Sequence, residues 1–96
     1  MDQPLRIDRV RVRVGDEMVE LSWAVAQELQ ARMLRSKATE SLLARFQRAG
    51  TSRPVDLDDA DWGPLLVVVA QWGREVGRDK LPAGVGDLLG ALTTNQ

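Results

Sequence analysis

The sequence predicts an α+β fold: an N-terminal β-hairpin followed by three to four helices in a single small domain. Three observations carry this prediction. Residues 9–14 alternate Arg and Val, the period-two pattern of a strand with one dry face. A Gly-Asp-Glu turn signal then leads into a second short alternating stretch, as a returning strand would require. Beyond residue 22 the apolar residues recur at helical spacing, in blocks separated by Ser, Thr, Gly and Pro. A chain of 96 residues suits one domain spanning 1–96.

The hairpin is expected over residues 6–21. Val10, Val12 and Val14 form its dry face, and Arg9, Arg11 and Arg13 its wet face. With Asp16 and Glu17 as the two turn residues, Val14 would face Val19 and Val12 would face Leu21. Arg13 would then face Glu20 as an opposite-charge cross-strand pair.

Ser22 is the expected N-cap of a first helix over 23–35, whose apolar stripe is Val25, Ala26, Leu29 and Met33. Leu42, Leu43, Phe46 and Ala49 form a second stripe, rotated by roughly 100° from the first on one straight helix. One helix cannot bury both against a single surface. The spacing therefore predicts a break near residues 36–39, a second helix over 39–49 with Ser36 or Thr39 as its N-cap, and a stop at Gly50.

Pro64 is tolerated most readily in a helix's first turn, so the third helix is expected over 62–76 with Asp61 as N-cap. Trp62, Leu65, Leu66, Val69, Trp72, Gly73 and Val76 share one face, while Val67, Val68 and Ala70 widen the apolar arc. That width implies a central helix or one that touches a second molecule. A fourth, short helix is expected over 85–92 on Val85, Leu88, Leu89 and Leu92. Gly84, Gly86 and Gly90 each cost it about 1 kcal/mol relative to Ala, so it depends on tertiary packing. Residues 93–96 read as a fraying tail.

Composition excludes several chemistries. With no Cys and no His, there is no disulfide, no zinc site built on those residues, no thiol nucleophile and no imidazole acid–base. Lys37 and Lys80 are the remaining amine bases, and neither lies in a recognisable motif. The acidic run over residues 56–61 fails as a calcium loop, because counting from Asp56 the fifth, sixth and twelfth positions hold Ala60, Asp61 and Val67. It reads instead as carboxylates at a helix N-terminus. The glycines at 84, 86 and 90 miss the dinucleotide fingerprint by one residue and follow no strand. The expectation is a non-enzyme with no catalytic residue, cofactor or metal.

The net charge is −1, which by itself points at neither nucleic acid nor an anionic membrane. The distribution is uneven. Residues 1–53 hold ten Lys+Arg against seven Asp+Glu, and residues 54–96 hold three against seven. The longest apolar run, residues 65–70, is far short of the ~20 residues of a membrane span, and no secretory leader is evident, so a cytoplasmic location is expected.

Residues 18–50 resemble the ribbon–helix–helix family of DNA-binding repressors and antitoxins. The resemblance rests on Val19-Glu20-Leu21-Ser22 as a strand end, an eleven-residue helix, and Ser36-Lys37-Ala38-Thr39 opening a second helix. It implies a dimer whose paired strands read the major groove. The intramolecular hairpin read from residues 10–21 is the competing organisation. The favoured functional expectation is a protein-interaction or regulatory module that self-associates or binds a protein partner, with the dimeric DNA-binding repressor as the alternative. Arg9, Arg11, Arg13, Trp23 and Val67 are its candidate partner-binding residues. Trp62 and Trp72 are expected in the core, and Trp23 is expected to be partly exposed.

Overall fold

A computed structural model describes residues 9–94. Its α+β architecture has two layers: a three-stranded sheet and four helices packed on one of its faces. Strand β1 (Arg9–Val14) turns into β2 (Glu17–Ser22), which runs directly into α1 (Trp23–Met33). Helix α2 (Glu40–Ala49) leads to a two-residue strand β3 (Val55–Asp56), followed by α3 (Asp59–Val76) and α4 (Val85–Thr94). Short 3₁₀ turns at Lys37–Thr39 and Arg78–Lys80 precede α2 and follow α3. The expected start of β1 at residues 6–8 lies outside the described residues, as do the last two residues of the chain.

The hairpin forms with its faces as expected but in a different register. Val14 pairs with Glu17, Val12 with Val19, Val10 with Leu21, Arg11 with Glu20 and Arg13 with Met18. The turn residues are therefore Gly15 and Asp16, not Asp16 and Glu17. Gly15 has φ 60°, the positive value that a two-residue hairpin turn requires at its first central position and that glycine adopts without strain. The shift is two residues, an even number, so every side chain keeps its face and only its partner changes.

The third strand is a finding the alternation pattern does not contain. Val55 and Asp56 pair in parallel with Val12 and Arg13, and the Leu57 N–H donates to the Arg13 carbonyl at 3.1 Å. Two residues are too few to show a period. Strand β1 thus lies at the centre, in the order β2-β1-β3.

Ser22 caps α1 as expected, its hydroxyl accepting from the Val25 N–H at 3.2 Å. The break before α2 is also present, though neither Ser36 nor Thr39 caps α2 through its side chain. The fully buried Thr39 hydroxyl instead points back and donates to the Met33 carbonyl at 2.9 Å, with the Ser36 carbonyl at 3.1 Å as a second acceptor. It adds a second bond to two carbonyls that already accept from the Ser36 and Thr39 N–H groups. Thr39→Val, which keeps the shape and removes the donor, is expected to lower stability by about 1–2 kcal/mol in urea melts. An unchanged midpoint would mean that this hydroxyl does not hold the break.

Helix α3 begins three residues earlier than expected. Asp58, not Asp61, is the N-cap. Its carboxylate accepts from the Ala60 N–H at 3.0 Å, while the Asp61 carboxylate accepts from the Asp58 N–H at 2.9 Å, which closes a reciprocal capping box. Pro64 consequently lies inside the helix, where it cannot bond to the Ala60 carbonyl. Helix α1 ends two residues earlier than expected, and α4 extends through Thr94 rather than ending at residue 92.

The core is one cluster joining the valines of β1 with Val19 and Leu21 of β2, Leu29 and Met33 of α1, Leu42 and Phe46 of α2, and the inner faces of α3 and α4. Leu65, Val68, Val69 and Trp72 of α3 are all buried, and Trp62 and Leu66 pack against them. Packing within the chain thus accounts for Val68 in the wide apolar arc of α3 but leaves Val67 exposed. Arg32 ties α1 to α3: it bonds to Glu28 at 3.0 Å and to Glu75 at 2.7 Å, and lies 4.7 Å over the Trp72 ring.

Candidate binding surface

Because the helical layer covers the valine face of the sheet, with α1, α2 and α4 against the strands, the other face stays open. Its side chains come from alternate positions: Arg9, Arg11 and Arg13 on β1, Met18, Glu20 and Ser22 on β2, and Asp56 on β3. Along the strand, side chains two residues apart stand about 7 Å from one another, so the arginines form a row of three guanidinium groups along the central strand. Arg9 and Arg13 are exposed and Arg11 is half-buried.

The row is held at one end. Arg13 Nη1 lies 3.4 Å from the Asp56 carboxylate, and Arg11 Nη2 donates to the Ser52 carbonyl at 3.4 Å. The contacts tether β1 to β3 and to the segment between α2 and β3. Arg9 has no ion-pair partner among the described residues. Large apolar side chains accompany the row: Met18 is 43% exposed, and Trp23, adjacent to the Ser22 that pairs with Arg9, is 46% exposed.

Two features near the row are not legible in the sequence. The first is a hollow of about 280 Å³ bounded by Arg45, Arg48, Arg53, Pro54 and Asp56. The second is an open groove of about 770 Å³ along the free edge of β2, bounded on the far side by Gly84, Gly86 and Gly90. Arg48 and Arg53 lie about forty positions beyond the strand arginines, and the basic excess of the first half of the chain was the only sign of them.

Arg45 makes the most hydrogen bonds of these side chains. Its Nη2 lies 2.6 Å from both Asp61 carboxylate oxygens, and its Nη1 donates to the Asp56 carbonyl at 2.8 Å. Burial alone would raise the Asp61 carboxyl. The Arg45 hydrogen bonds, the Asp58 N–H and the Arg45 charge outweigh it and hold the group below the ordinary carboxylate range. Glu75, at the other end of α3, is also lowered, by hydrogen bonding to Arg32 and by its charge.

Of the expected partner-binding residues, the structure gathers Arg9, Arg11 and Arg13 on one surface with Trp23 at its margin. Val67 stands apart. It is 61% exposed on α3, in the helical layer, beside a small hollow bounded by Arg32, Arg35, Gln71 and Glu75. Among the described residues no group of three or more acidic side chains is placed to hold a metal ion, and no helix is long and apolar enough to cross a membrane. The chain matches no family model, no curated protein and no solved structure.

Proposed function

We propose that this chain is a non-catalytic interaction module that binds an acidic segment of a protein partner across the open face of its sheet. One observation carries the reading: the uncovered face combines a row of three arginines with exposed Met18 and Trp23 at its margin. Arg, Met and Trp are the residue types enriched at protein interfaces, and Arg and Trp the ones that most often carry their binding energy. Glu20 lies on β2 opposite Arg11, where its carboxylate would accept a bond from a donor flanking the partner's acidic groups.

Contact with nucleic acid is the second reading, favoured by the row of guanidinium groups at regular spacing. It would use the open face; β1 has β2 on one side and β3 on the other, so a ribbon shared between two chains would need the free edge of β2 instead. Self-association would use the free edge of β2 or exposed apolar residues of the helical layer such as Leu34, Val67 and Val76. A concentration-independent monomer mass in light scattering would dismiss it.

The test is fluorescence anisotropy with a labelled oligo-glutamate peptide and with mixed-sequence duplex DNA, starting at about 50 mM salt. The peptide is expected to bind, and the Arg9→Ala/Arg11→Ala/Arg13→Ala variant to bind at least about tenfold more weakly, the loss of roughly 1.4 kcal/mol. Its thermal stability should change little, since exposed charges contribute about 0–1 kcal/mol each. DNA binding with a steep salt dependence and no peptide binding would transfer the arginine row to the second reading. Binding of neither would overturn both.

A further inference from the structure

We infer that the hollow between the end of α2 and β3 is a binding site for a phosphoryl group, either a free phosphate monoester or a phosphorylated side chain. The charges around it do not cancel. Arg45 is neutralised by Asp61, at 2.6 Å, and Asp56, the one acidic residue bounding the hollow, is drawn to Arg13. Arg48 and Arg53 remain, both exposed and neither with an ion-pair partner among the described residues. Arg48 alone would be explained as a cation in the last turn of α2, where it meets the negative end of the helix. That explanation does not extend to Arg53, which the chain brings to the same hollow after reversing direction.

The reversal is built to hold its shape. Gly50 takes φ 51°, the Ser52 N–H donates to the Ala49 carbonyl at 2.9 Å, and the Ser52 carbonyl accepts from Arg11. Pro54 restricts Arg53 to an extended backbone. Two guanidinium groups of like charge are thus presented to one small open space by a constrained loop. Their pairing is offset by a compact dianion, and a phosphoryl group carries about −1.5 to −2 charges with three acceptor oxygens that suit the arginine fork. The hollow adjoins the arginine row through Asp56 and Ser52, yet inorganic phosphate should occupy it whether or not the open face binds an acidic partner.

The first probe is sodium phosphate, titrated into the ¹⁵N-labelled chain at pH 7.5 against chloride at matched ionic strength and followed by NMR. Saturable shifts centred on Arg48, Arg53 and Asp56 are expected with phosphate and not with chloride. Arg48→Ala/Arg53→Ala should weaken them at least tenfold, while Arg9→Ala, which removes a strand arginine with no contact to the hollow, should leave them in place. Shifts that do not saturate, or that chloride reproduces, would overturn the site. A phosphoserine peptide compared with its unphosphorylated form identifies the source. At least tenfold tighter binding of the phosphorylated form would assign the site to a modified partner, and equal binding alongside saturable inorganic phosphate would assign it to a small monoester.

Discussion

Gly84→Ala is expected to lower stability by about 3–5 kcal/mol, while the same substitution at Gly86 or Gly90 raises it. Gly84 has φ 91°, a conformation that costs residues with a Cβ about 1–3 kcal/mol. A Cβ there would also lie 2.5 Å from the Glu20 carbonyl oxygen and 2.9 Å from Leu21 Cδ2. The first of these is backbone of β2, so relief requires α4 to move off the sheet, an overpacking strain of about 1–3 kcal/mol. Against the 5–15 kcal/mol that holds a typical domain, the sum is a large fraction.

Gly86 and Gly90 are helical, and a Cβ at either would meet nothing within 4 Å. Alanine there removes the glycine penalty of about 0.5–1 kcal/mol. Thermal melts of the three single variants provide the check. For a domain of this size 1 kcal/mol shifts Tm by roughly 4–8 °C, so Gly84→Ala should fall by at least about 12 °C, while the other two rise by a few degrees. A neutral Gly84→Ala would mean that α4 does not approach β2 as closely as described. The groove beside β2 should narrow in the two stabilised variants without loss of the fold, since both glycines bound it.

Asp61→Asn is expected to cost about 2–3 kcal/mol and to flatten the acid limb of the stability profile. The carboxylate is 9% exposed, binds Arg45 through both oxygens at 2.6 Å, and closes the capping box of α3. Breaking a fully buried pair by removing one partner costs about 3–5 kcal/mol. Arg45 retains 30% exposure, so water recovers part of that loss.

The pH dependence follows from the direction of the shift. In the fold the Asp61 carboxyl titrates below its ordinary value, whereas in the unfolded chain it titrates near about 3.9. Its contribution is therefore fully present above about pH 5, and it is lost as pH falls through the unfolded and then the folded value. Glu75 is lowered in the same direction by Arg32, but it is solvated, so Glu75→Gln should change the profile less. Urea titrations between pH 2.5 and 6 should show wild-type stability falling steeply with acid, Glu75→Gln nearly as steeply, and Asp61→Asn least. A wild-type profile as shallow as that of Asp61→Asn would show that the Arg45 pair contributes no stability.

These two predictions rest on features that differ in how far the sequence reveals them. The glycines of α4 are visible as residues, and their helix cost follows from composition alone. What separates Gly84 from Gly86 and Gly90 is a backbone on another element, 64 positions earlier in the chain. The run of carboxylates before α3 is likewise visible as a helix start. The choice of Asp58 over Asp61 as cap depends on Arg45, which arrives from α2 and draws Asp61 into the first turn.

The candidate surface divides in the same way. The arginine row is legible, because side chains alternate across a strand whatever that strand later pairs with. The hollow is not, because Arg48 and Arg53 converge only after the chain reverses at Gly50 and β3 docks on β1. The wide apolar arc of α3 left two readings open, and the packing of Leu65, Val68, Val69 and Trp72 within the chain explains most of it.

By itself the sequence determined the hairpin, the order of three to four helices, most of the residues of each that face inward, and the absence of Cys and His chemistry. Those properties follow from periods of two and 3.6 residues, caps and composition, all of which act over a few positions. The hairpin register was decided by the local turn, and only the tertiary structure decided the third strand, the start of α3, the intolerance at Gly84 and the second basic cluster. The register was settled by the positive φ of Gly15. The third strand has two residues and exists because β1 offered an unpaired edge. The rest depend on groups distant in sequence approaching within hydrogen-bonding or van der Waals distance, and a local pattern carries no record of such approaches.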